Sequence, residues 1–394
     1  MANYASNPTF YQMSLSDYLM SDKPENMLEK YVSDGKIAIS ESEWGGVKQK
    51  YKKDDIISCL SDLILQGEVK IPMVEYEYSE ATNSFENLCN YKCNGIQTGN
   101  VFTRYEYGYS ISDKYIDETN IGNIASNYFQ QENRFHCDSI NAPSPYRTWN
   151  NRKFLQSALS ALWSLNVKEI NEKTLRTALS LRKYVASQFK PAVAKSIYEY
   201  LHSENILDFC SGWGDRLCGF YAYGQGKKYV GIDPNTRLHQ KYAEQIKLYG
   251  GMTVGKEALM IKAPAEDVIL SPNTFDTVFT SPPYFNVERY SNEDTQSFKR
   301  YKKLESWLER FLFKAIDMAW EALKPFGYMA INISDVYSNH TINKICDPMN
   351  KHIESIGGKY QECIGMKMAK RPNSGALKGK DGVFVEPIWI WQKR

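Results

Sequence analysis

The chain has 394 residues, of which 42% are hydrophobic and 24% are charged, an ordinary composition for a soluble globular protein. The net charge of +2 excludes a strongly basic chain, so any contact with nucleic acid needs a local basic patch. No apolar stretch reaches the length of a membrane span, and the first residues lack the pattern of a signal peptide. We therefore expect an intracellular, cytoplasmic protein without membrane contact.

The eight cysteines are scattered along the chain, which is typical of reduced thiols in an intracellular protein. One group has residue types that suit zinc, namely Cys89, Cys93, His136 and Cys137. Its spacing is not that of a standard zinc site. The sequence therefore favours no metal, with zinc at these four residues as the alternative.

Residues 1–150 are irregular in pattern. One amphipathic helix is predicted, with a stopping glycine at its end, in DDIISCLSDLILQG. Segments rich in tyrosine and asparagine follow it, for example GNVFTRYEYGYSI. We expect an α+β N-terminal region here, and the sequence does not indicate a specific fold for it.

From residue 151 onward, apolar strands alternate with amphipathic helices. The predicted strands are NILDFC, KKYVGID, ALMIKAP, FDTVFTS, GYMAINIS and GVFVEPIWIWQKR. This alternation predicts an α/β fold, with a mostly parallel sheet and helices on both faces. Such sheets bind ligands beyond the carboxyl ends of their strands. We therefore divide the chain into two predicted domains, 1–150 and 151–394.

The first motif is ILDFCSGWGDRL, in which a strand ends at Asp208 and glycines follow at Gly212 and Gly214. Glycines between a strand and a helix let the backbone approach a ligand closely. The next strand ends in GID, which places the acidic Asp233 where it suits a ribose with two free hydroxyls. The third glycine of a dinucleotide motif is missing, which indicates a single nucleoside as the ligand.

The second motif is TSPPY, which follows the predicted strand FDTVF. Pro282 and Pro283 cannot donate to a strand partner and fix their own backbone, so they end the strand and stiffen the turn. Two interpretations remain at this point. The segment is either a simple rigid turn or a rigid clamp for a flat substrate.

Together, these motifs resemble a known family. DFCSGWG before GID is similar to the S-adenosylmethionine site of class I methyltransferases, and TSPPY is similar to the catalytic motif of the amino-methyltransferases that act on DNA bases. The resemblance covers roughly residues 175–394. It implies a Rossmann-like class I methyltransferase domain with a mostly parallel seven-stranded sheet, S-adenosylmethionine as cofactor, and duplex DNA with a flipped base as partner.

The resemblance also implies the site residues. Those expected to bind the cofactor are Asp208, Cys210, Gly212, Gly214, Asp233 and Glu266. Glu266 is a substitute, because Pro264 occupies the position where the family often has an acidic residue.

The catalytic residues implied by the resemblance are Ser281, Pro282, Pro283 and Tyr284. The Ser281 hydroxyl and the Pro282 carbonyl would accept hydrogen bonds from the amine, and Tyr284 would stack on the base. The residues that follow either shape the base pocket or begin a surface loop, namely Phe285, Glu288 and Arg289. Serine ahead of the prolines resembles the cytosine-N4 branch, so cytosine N4 is slightly favoured over adenine N6.

Three alternatives remain open: an RNA base amino-methyltransferase, a catalytically inactive fold that only holds nucleic acid, and a small-molecule amine methyltransferase. Residues 1–150 are large and aromatic-rich, so we assign them a role in target recognition. The basic, glycine-rich segment 367–382 is expected to contact phosphates or to form a solvated hairpin loop.

Overall fold

The computed structural model describes residues 28–93, 95–117, 119–182, 186–338, 340–369 and 381–394. Most of the predicted basic loop, residues 370–380, therefore lies outside the described residues. Helices α1 to α15 cover, in chain order, Glu41–Lys50, Lys53–Leu65, Tyr78–Asn90, Asn123–Phe135, Pro145–Trp149, Arg152–Leu159, Ala161–Ser164, Glu172–Arg182, Pro191–Tyr200, Asp215–Ala222, Thr236–Met252, Ser297–Arg300, Leu304–Trp307, Phe313–Ala322 and Cys346–Ser355. Three shorter helical turns are Glu29–Tyr31, Ala265–Asp267 and a π-helical turn at Leu308–Leu312.

Strands β1 to β16 cover, in chain order, Val32–Ser33, Lys36–Ile37, Gln97–Thr98, Val101–Phe102, Lys114–Ile116, Asp138–Ser139, Asn205–Asp208, Lys228–Ile232, Glu257–Ile261, Phe275–Thr280, Glu288–Arg289, Leu323–Asn332, Val336–Ser338, Thr341–Asn343, Gly358–Lys367 and Val383–Lys393. All six strands predicted after residue 151 are present. The prediction omitted the short strands β11, β13 and β14 and the long strand β15.

Contacts divide the chain into two units. The first, which we call the helical unit, comprises the described residues within 1–73 and 145–183. Its described part contains the hairpin β1–β2 and helices α1, α2 and α5 to α8. The predicted helix in this part is α2, and its apolar stripe Ile56, Leu60 and Leu63 is buried in the core of the unit.

The second unit, which we call the sheet unit, comprises the described residues within 74–144 and 184–394. Its main sheet has the strand order β3-β5-β15-β16-β12-β10-β7-β8-β9, and β4 pairs with β16. Strands β12, β10, β7, β8 and β9 are parallel to one another, whereas β16 is antiparallel to both β12 and β15. The prediction was an α/β fold with a mostly parallel, Rossmann-like sheet. Because five neighbouring strands are parallel, this fold class is confirmed.

The sheet differs from the prediction in size. Seven long strands are extended by three short ones, β3, β4 and β5, which come from residues 97–116. Helices α3 and α4 also bury Phe85 and Phe129 in the core on one face of this sheet. The contact-based boundaries therefore differ from the predicted division at residue 150, because residues 74–144 pack as part of the sheet unit.

The order of the strands fixes where a ligand binds. The chain starts the parallel part at β7, builds β8 and β9 on one side, and then returns to build β10 and β12 on the other. Loops that leave the carboxyl ends of β7 and β10 consequently diverge and leave a crevice. None of the helices in the described ranges is long and apolar enough to cross a membrane.

Candidate active site

A cavity of about 590 Å³ lies in the sheet unit beyond the carboxyl ends of its parallel strands. The loops after β7, β8 and β10 all contribute to its wall. Of the residues predicted for the site, those that line it are Cys210, Gly212, Asp233, Glu266, Ser281, Pro282, Pro283, Tyr284 and Glu288. The structure therefore brings both sequence motifs to a single cavity.

The glycine loop after β7 is locked to the end of β8. Gly212 and Gly214 both have positive φ angles, of 57° and 75°, which favour glycine. The Gly212 amide donates to Asp233 Oδ2 at 3.0 Å, and the Asn235 amide donates to Asp233 Oδ1 at 2.9 Å. Burial raises the pKa of Asp233 to about 7.

Asp208 lies beneath the cavity and does not line it. Its carboxylate is fully buried and pairs with Arg216, whose Nε lies 2.8 Å from Asp208 Oδ2. Tyr229 donates its hydroxyl to the same oxygen at 2.6 Å, and Arg216 also donates to the Cys210 carbonyl. Asp208 thus supports the loop from below. Gly214, the other predicted cofactor residue that does not line the cavity, is the N-cap of α10.

Three buried polar atoms on the cavity wall have no hydrogen-bond partner within the protein: Asp215 Oδ2, Glu266 Oε2 and Gln296 Nε2. The other oxygen of Asp215 accepts from Ser126 Oγ at 2.5 Å and from Gln188 Nε2 at 2.9 Å. A buried polar atom without a partner is costly, so a ligand with two donors and one acceptor fits this wall. A nucleoside joined to an amino acid has such groups.

The clamp from Ser281 to Tyr284 faces this wall. Ser281 Oγ lies 3.4 Å from Asn332 Oδ1 at the end of β12. The half-buried Tyr284 interacts through its hydroxyl with Glu386, which also interacts with Asn332. Side chains from β12 and β16 therefore hold the clamp in place.

The residues after the clamp separate into two groups. Phe285 is buried, has a positive φ of 55°, and packs edge-on against Trp307 at 5.8 Å between ring centroids. Arg289 is exposed, with its guanidinium over the Phe298 ring. Only Glu288 of the three predicted residues contacts the cavity. Burial raises its pKa to about 7.

Several cavity residues were not identified from the sequence. They come from distant parts of the chain and are Arg134, Gln188, Gln296, Asn332, Met366 and Glu386. Each lies outside a recognisable motif. Glu386 carried one usable signal, since it is a charged residue inside the otherwise apolar strand VFVEPIWIW.

The zinc alternative gains no support. Across the described ranges, no group of three or more His, Cys, Asp and Glu side chains is arranged to hold a metal ion. Cys89 lies near the C-terminus of α3, whereas His136 and Cys137 follow α4. Burial raises the pKa of the Cys89, Cys93 and Cys137 thiols.

Comparison with known proteins gives matches in structure only. No family model and no curated protein matches the chain. Solved structures that are similar to it include an S-adenosylmethionine-dependent O-methyltransferase from Thermotoga maritima, with 14% identity over 55% of this chain and 70% of that one, and a TM-score of 0.33. A second is a tRNA (m1A58) methyltransferase from Aquifex aeolicus, with 11% identity over 53% and 71% and a TM-score of 0.32.

A third similar structure is a magnesium protoporphyrin IX methyltransferase from Synechocystis with bound S-adenosylmethionine, with 8% identity over 52% of this chain and 79% of that one, and a TM-score of 0.35. These identities and TM-scores are low. The fold assignment therefore rests on the strand order of the sheet unit, and the activity is inferred from the site.

Proposed function

We propose that this protein transfers a methyl group from S-adenosylmethionine to the exocyclic amine of a DNA base, with cytosine N4 slightly favoured over adenine N6. One observation carries the proposal. The Ser281–Tyr284 clamp and the glycine loop with Asp233 line the same cavity, although Gly212 and Asp233 precede Ser281 by 69 and 48 residues in the sequence.

The cavity wall fits the parts of this cofactor. Asp233 would accept from the ribose hydroxyls, since each of its oxygens accepts one backbone amide and retains a second lone pair. Glu266 and Gln296 would hydrogen-bond to the adenine, and Asp215 would accept from the methionine ammonium. When bound, S-adenosylmethionine supplies a methyl group activated by its sulfonium.

A conjugated amine is a weak nucleophile, and the clamp would increase its reactivity. When the Ser281 hydroxyl donates to Asn332 Oδ1, the lone pairs of its oxygen remain available for an amine hydrogen. The Pro282 carbonyl is a second acceptor in a rigid turn. Two acceptors at fixed positions would draw the amine nitrogen toward a tetrahedral shape, which returns its lone pair for attack.

The first experiment is nucleoside mass spectrometry after incubation with S-adenosylmethionine and unmethylated genomic DNA. N4-methylcytosine would support the proposal with its favoured base, and N6-methyladenine would support it with the other. If DNA gives no product, structured RNA is the next substrate. Cofactor binding without turnover on DNA, RNA or small amines would favour the inactive nucleic-acid-binding fold.

Ser281→Ala tests the clamp directly. We expect kcat to fall roughly 100- to 1,000-fold because an acceptor aligned for the transition state is lost. The dissociation constant for S-adenosylmethionine, measured by calorimetry, should stay within about twofold. Ser271→Ala, at an exposed position outside the cavity, is the matched control. An equal loss of cofactor affinity in the Ser281 variant would argue against a catalytic role.

Target recognition by residues 1–150 also stays a proposal. Deletion of the whole segment is not a suitable test of recognition, because it would remove α3 and α4 from the core of the sheet unit. Surface substitutions in the helical unit, followed by mapping of methylated sites, test recognition while leaving that core intact.

A further inference from the structure

Glu288 has a backbone position fixed close to the clamp. The Val287 amide donates to the Tyr284 carbonyl at 3.2 Å, which closes a tight turn after the prolines. Glu288 then pairs with Ser139 in the antiparallel ladder β6–β11. The side chain therefore enters the cavity from a turn that includes Tyr284 itself.

The carboxyl group of Glu288 is also fixed in orientation. The Tyr290 hydroxyl donates to Glu288 Oε2. The Tyr290 ring packs edge-on against Trp213 of the glycine loop, with centroids 5.6 Å apart. Since Trp213, Tyr290 and Glu288 all line the cavity, this carboxyl group lies on a wall shared by the clamp and the cofactor loop.

The surroundings of Glu288 favour a neutral carboxyl group. Burial is the largest effect and raises its pKa to about 7; the Tyr290 hydrogen bond lowers it, Glu386 on β16 raises it, and Arg134 on α4 lowers it. Cys137, which follows α4, also interacts with this carboxyl group and has a thiol pKa that burial raises. Near neutral pH, a substantial fraction of Glu288 is therefore protonated and able to donate.

Building on the proposed function, we propose that protonated Glu288 donates a hydrogen bond to the ring nitrogen next to the exocyclic amine of the target base. This nitrogen is N3 in cytosine and N1 in adenine. The clamp accepts from the amine, so clamp and Glu288 together match the adjacent donor and acceptor on that edge of a flipped base. Glu288 would thus determine which bases the site accepts.

This hydrogen bond acts on binding and not on the methyl-transfer step. Donation to the ring nitrogen draws electron density away from the amine, so it does not increase the nucleophilicity of the amine. It is made in the bound ground state and kept in the transition state. Its loss should therefore raise KM and leave kcat nearly unchanged.

The test uses the full-length protein and duplex oligonucleotides. The substrate contains either the base that the wild type methylates or its analogue with carbon at the ring nitrogen, 3-deazacytosine or 1-deazaadenine. The proteins are the wild type, Glu288→Ala, Glu288→Gln, and Glu305→Gln as an exposed control outside the cavity. KM and kcat are measured from pH 6 to 8.5.

We expect the analogue to raise KM about tenfold for the wild type and for Glu305→Gln, and to have no further effect for Glu288→Ala. The amide of Glu288→Gln donates at every pH, so its KM should stay constant with pH. In the wild type, KM should rise as pH increases above about 7, because the carboxylate form cannot donate.

Equal penalties for the analogue in the wild type and in Glu288→Ala would overturn the inference, while methylation by the wild type would still support the proposed function. If no base is methylated, both fail. If Glu288→Ala does not fold, as judged by near-UV circular dichroism, the glutamine variant decides. A KM for Glu288→Gln that changes with pH as in the wild type would overturn the inference.

Discussion

Gly212 and Gly214 have similar backbone angles but different surroundings. A Cβ atom at Gly212 would meet nothing closer than the Cys210 carbonyl oxygen at 4.0 Å, and the residue lines the cavity. A Cβ atom at Gly214 would collide with the amide group of Gln245, which is fully buried. The first glycine therefore keeps space for a ligand, and the second keeps space for the core.

The two alanine variants should differ accordingly. Gly212→Ala should lose about 1 to 2 kcal/mol of unfolding free energy from its left-handed backbone, and should bind S-adenosylmethionine roughly tenfold more weakly. Gly214→Ala has the same backbone strain and also crowds the buried Gln245 side chain. It should therefore lose about 3 kcal/mol or more of unfolding free energy. Urea denaturation and calorimetry measure both quantities. Equal stability losses in the two variants would contradict this account.

At the residue level, the sequence pointed to cavity-lining residues where these lie in a continuous motif. The clamp and the glycine loop could be read directly, because neighbours in sequence are neighbours in the site. Gln296, Asn332 and Glu386 reach the cavity only through the pairing of distant elements. No local pattern encodes that proximity. Asp208 shows the converse, since it lies in the motif but is buried in an ion pair with Arg216 and does not line the cavity.

At the scale of elements, a single lysine joins two helices. Lys195 on α9 is buried, and its Nζ donates to the carbonyls of Leu88, Cys89 and Tyr91 at 2.9, 2.9 and 2.7 Å. These carbonyls lie at the C-terminal end of α3, where helical carbonyls lack partners within the helix. The positive charge also complements the negative end of the helix dipole.

Lys195→Met should remove this donor and leave the Cys89 and Tyr91 carbonyls unsatisfied, while the Leu88 carbonyl still accepts from the Tyr91 amide. We expect a loss of about 3 kcal/mol in unfolding free energy. Hydrogen exchange should become faster than in the wild type, and this increase should be larger in α3 than in the central strands. Lys247→Met, at an exposed position on α11, serves as the control and should change stability by less than about 0.5 kcal/mol. If both variants behaved alike, the capping role would be wrong.

The missed strand β15 illustrates what element prediction lacks. Its sequence GKYQECIGMK contains two glycines and several polar residues, which weaken a strand signal. In the sheet, a Cβ atom at Gly365 would approach the Val385 side chain within 2.7 Å, so the close packing of β16 requires glycine there. The residue that obscures the strand in the sequence is the one that lets it pair.

At the scale of the whole molecule, the site combines many acidic groups. Burial raises the pKa of five carboxyl groups that line the cavity: Asp215, Asp233, Glu266, Glu288 and Glu386. A group whose pKa is raised on folding stabilises the protein below its unfolded pKa and loses that contribution as pH rises through the folded value. The free protein should thus lose stability from about pH 4 to pH 7.

A cationic ligand reverses this effect at the carboxyl groups assigned to the cofactor, Asp215, Asp233 and Glu266, because it favours their ionised form. The affinity for S-adenosylmethionine should increase about tenfold between pH 5.5 and 7.5. S-adenosylhomocysteine lacks the sulfonium charge and should show a smaller increase. Calorimetry with both ligands across this range is the measurement. Equal slopes for the two ligands, or an affinity that falls with pH, would contradict the electrostatic account.

Domain boundaries were also difficult to predict at this scale. The sequence changes texture near residue 150, and that change marks the start of regular helices. Contacts instead group residues 145–182 with 28–73, and residues 74–144 with the sheet. A chain that leaves one unit and returns to it gives no compositional sign of doing so.

The position of β16 has a consequence for how this protein is made. β15 contacts the parallel strands only through β16, which follows it in the chain and lies between β15 and β12. On the ribosome, the apolar edge of β12 therefore remains open until residues 383–393 have emerged from the exit tunnel. Until then, the nascent chain presents an unpaired edge to other proteins, so we expect its synthesis to depend on chaperones that bind apolar strands.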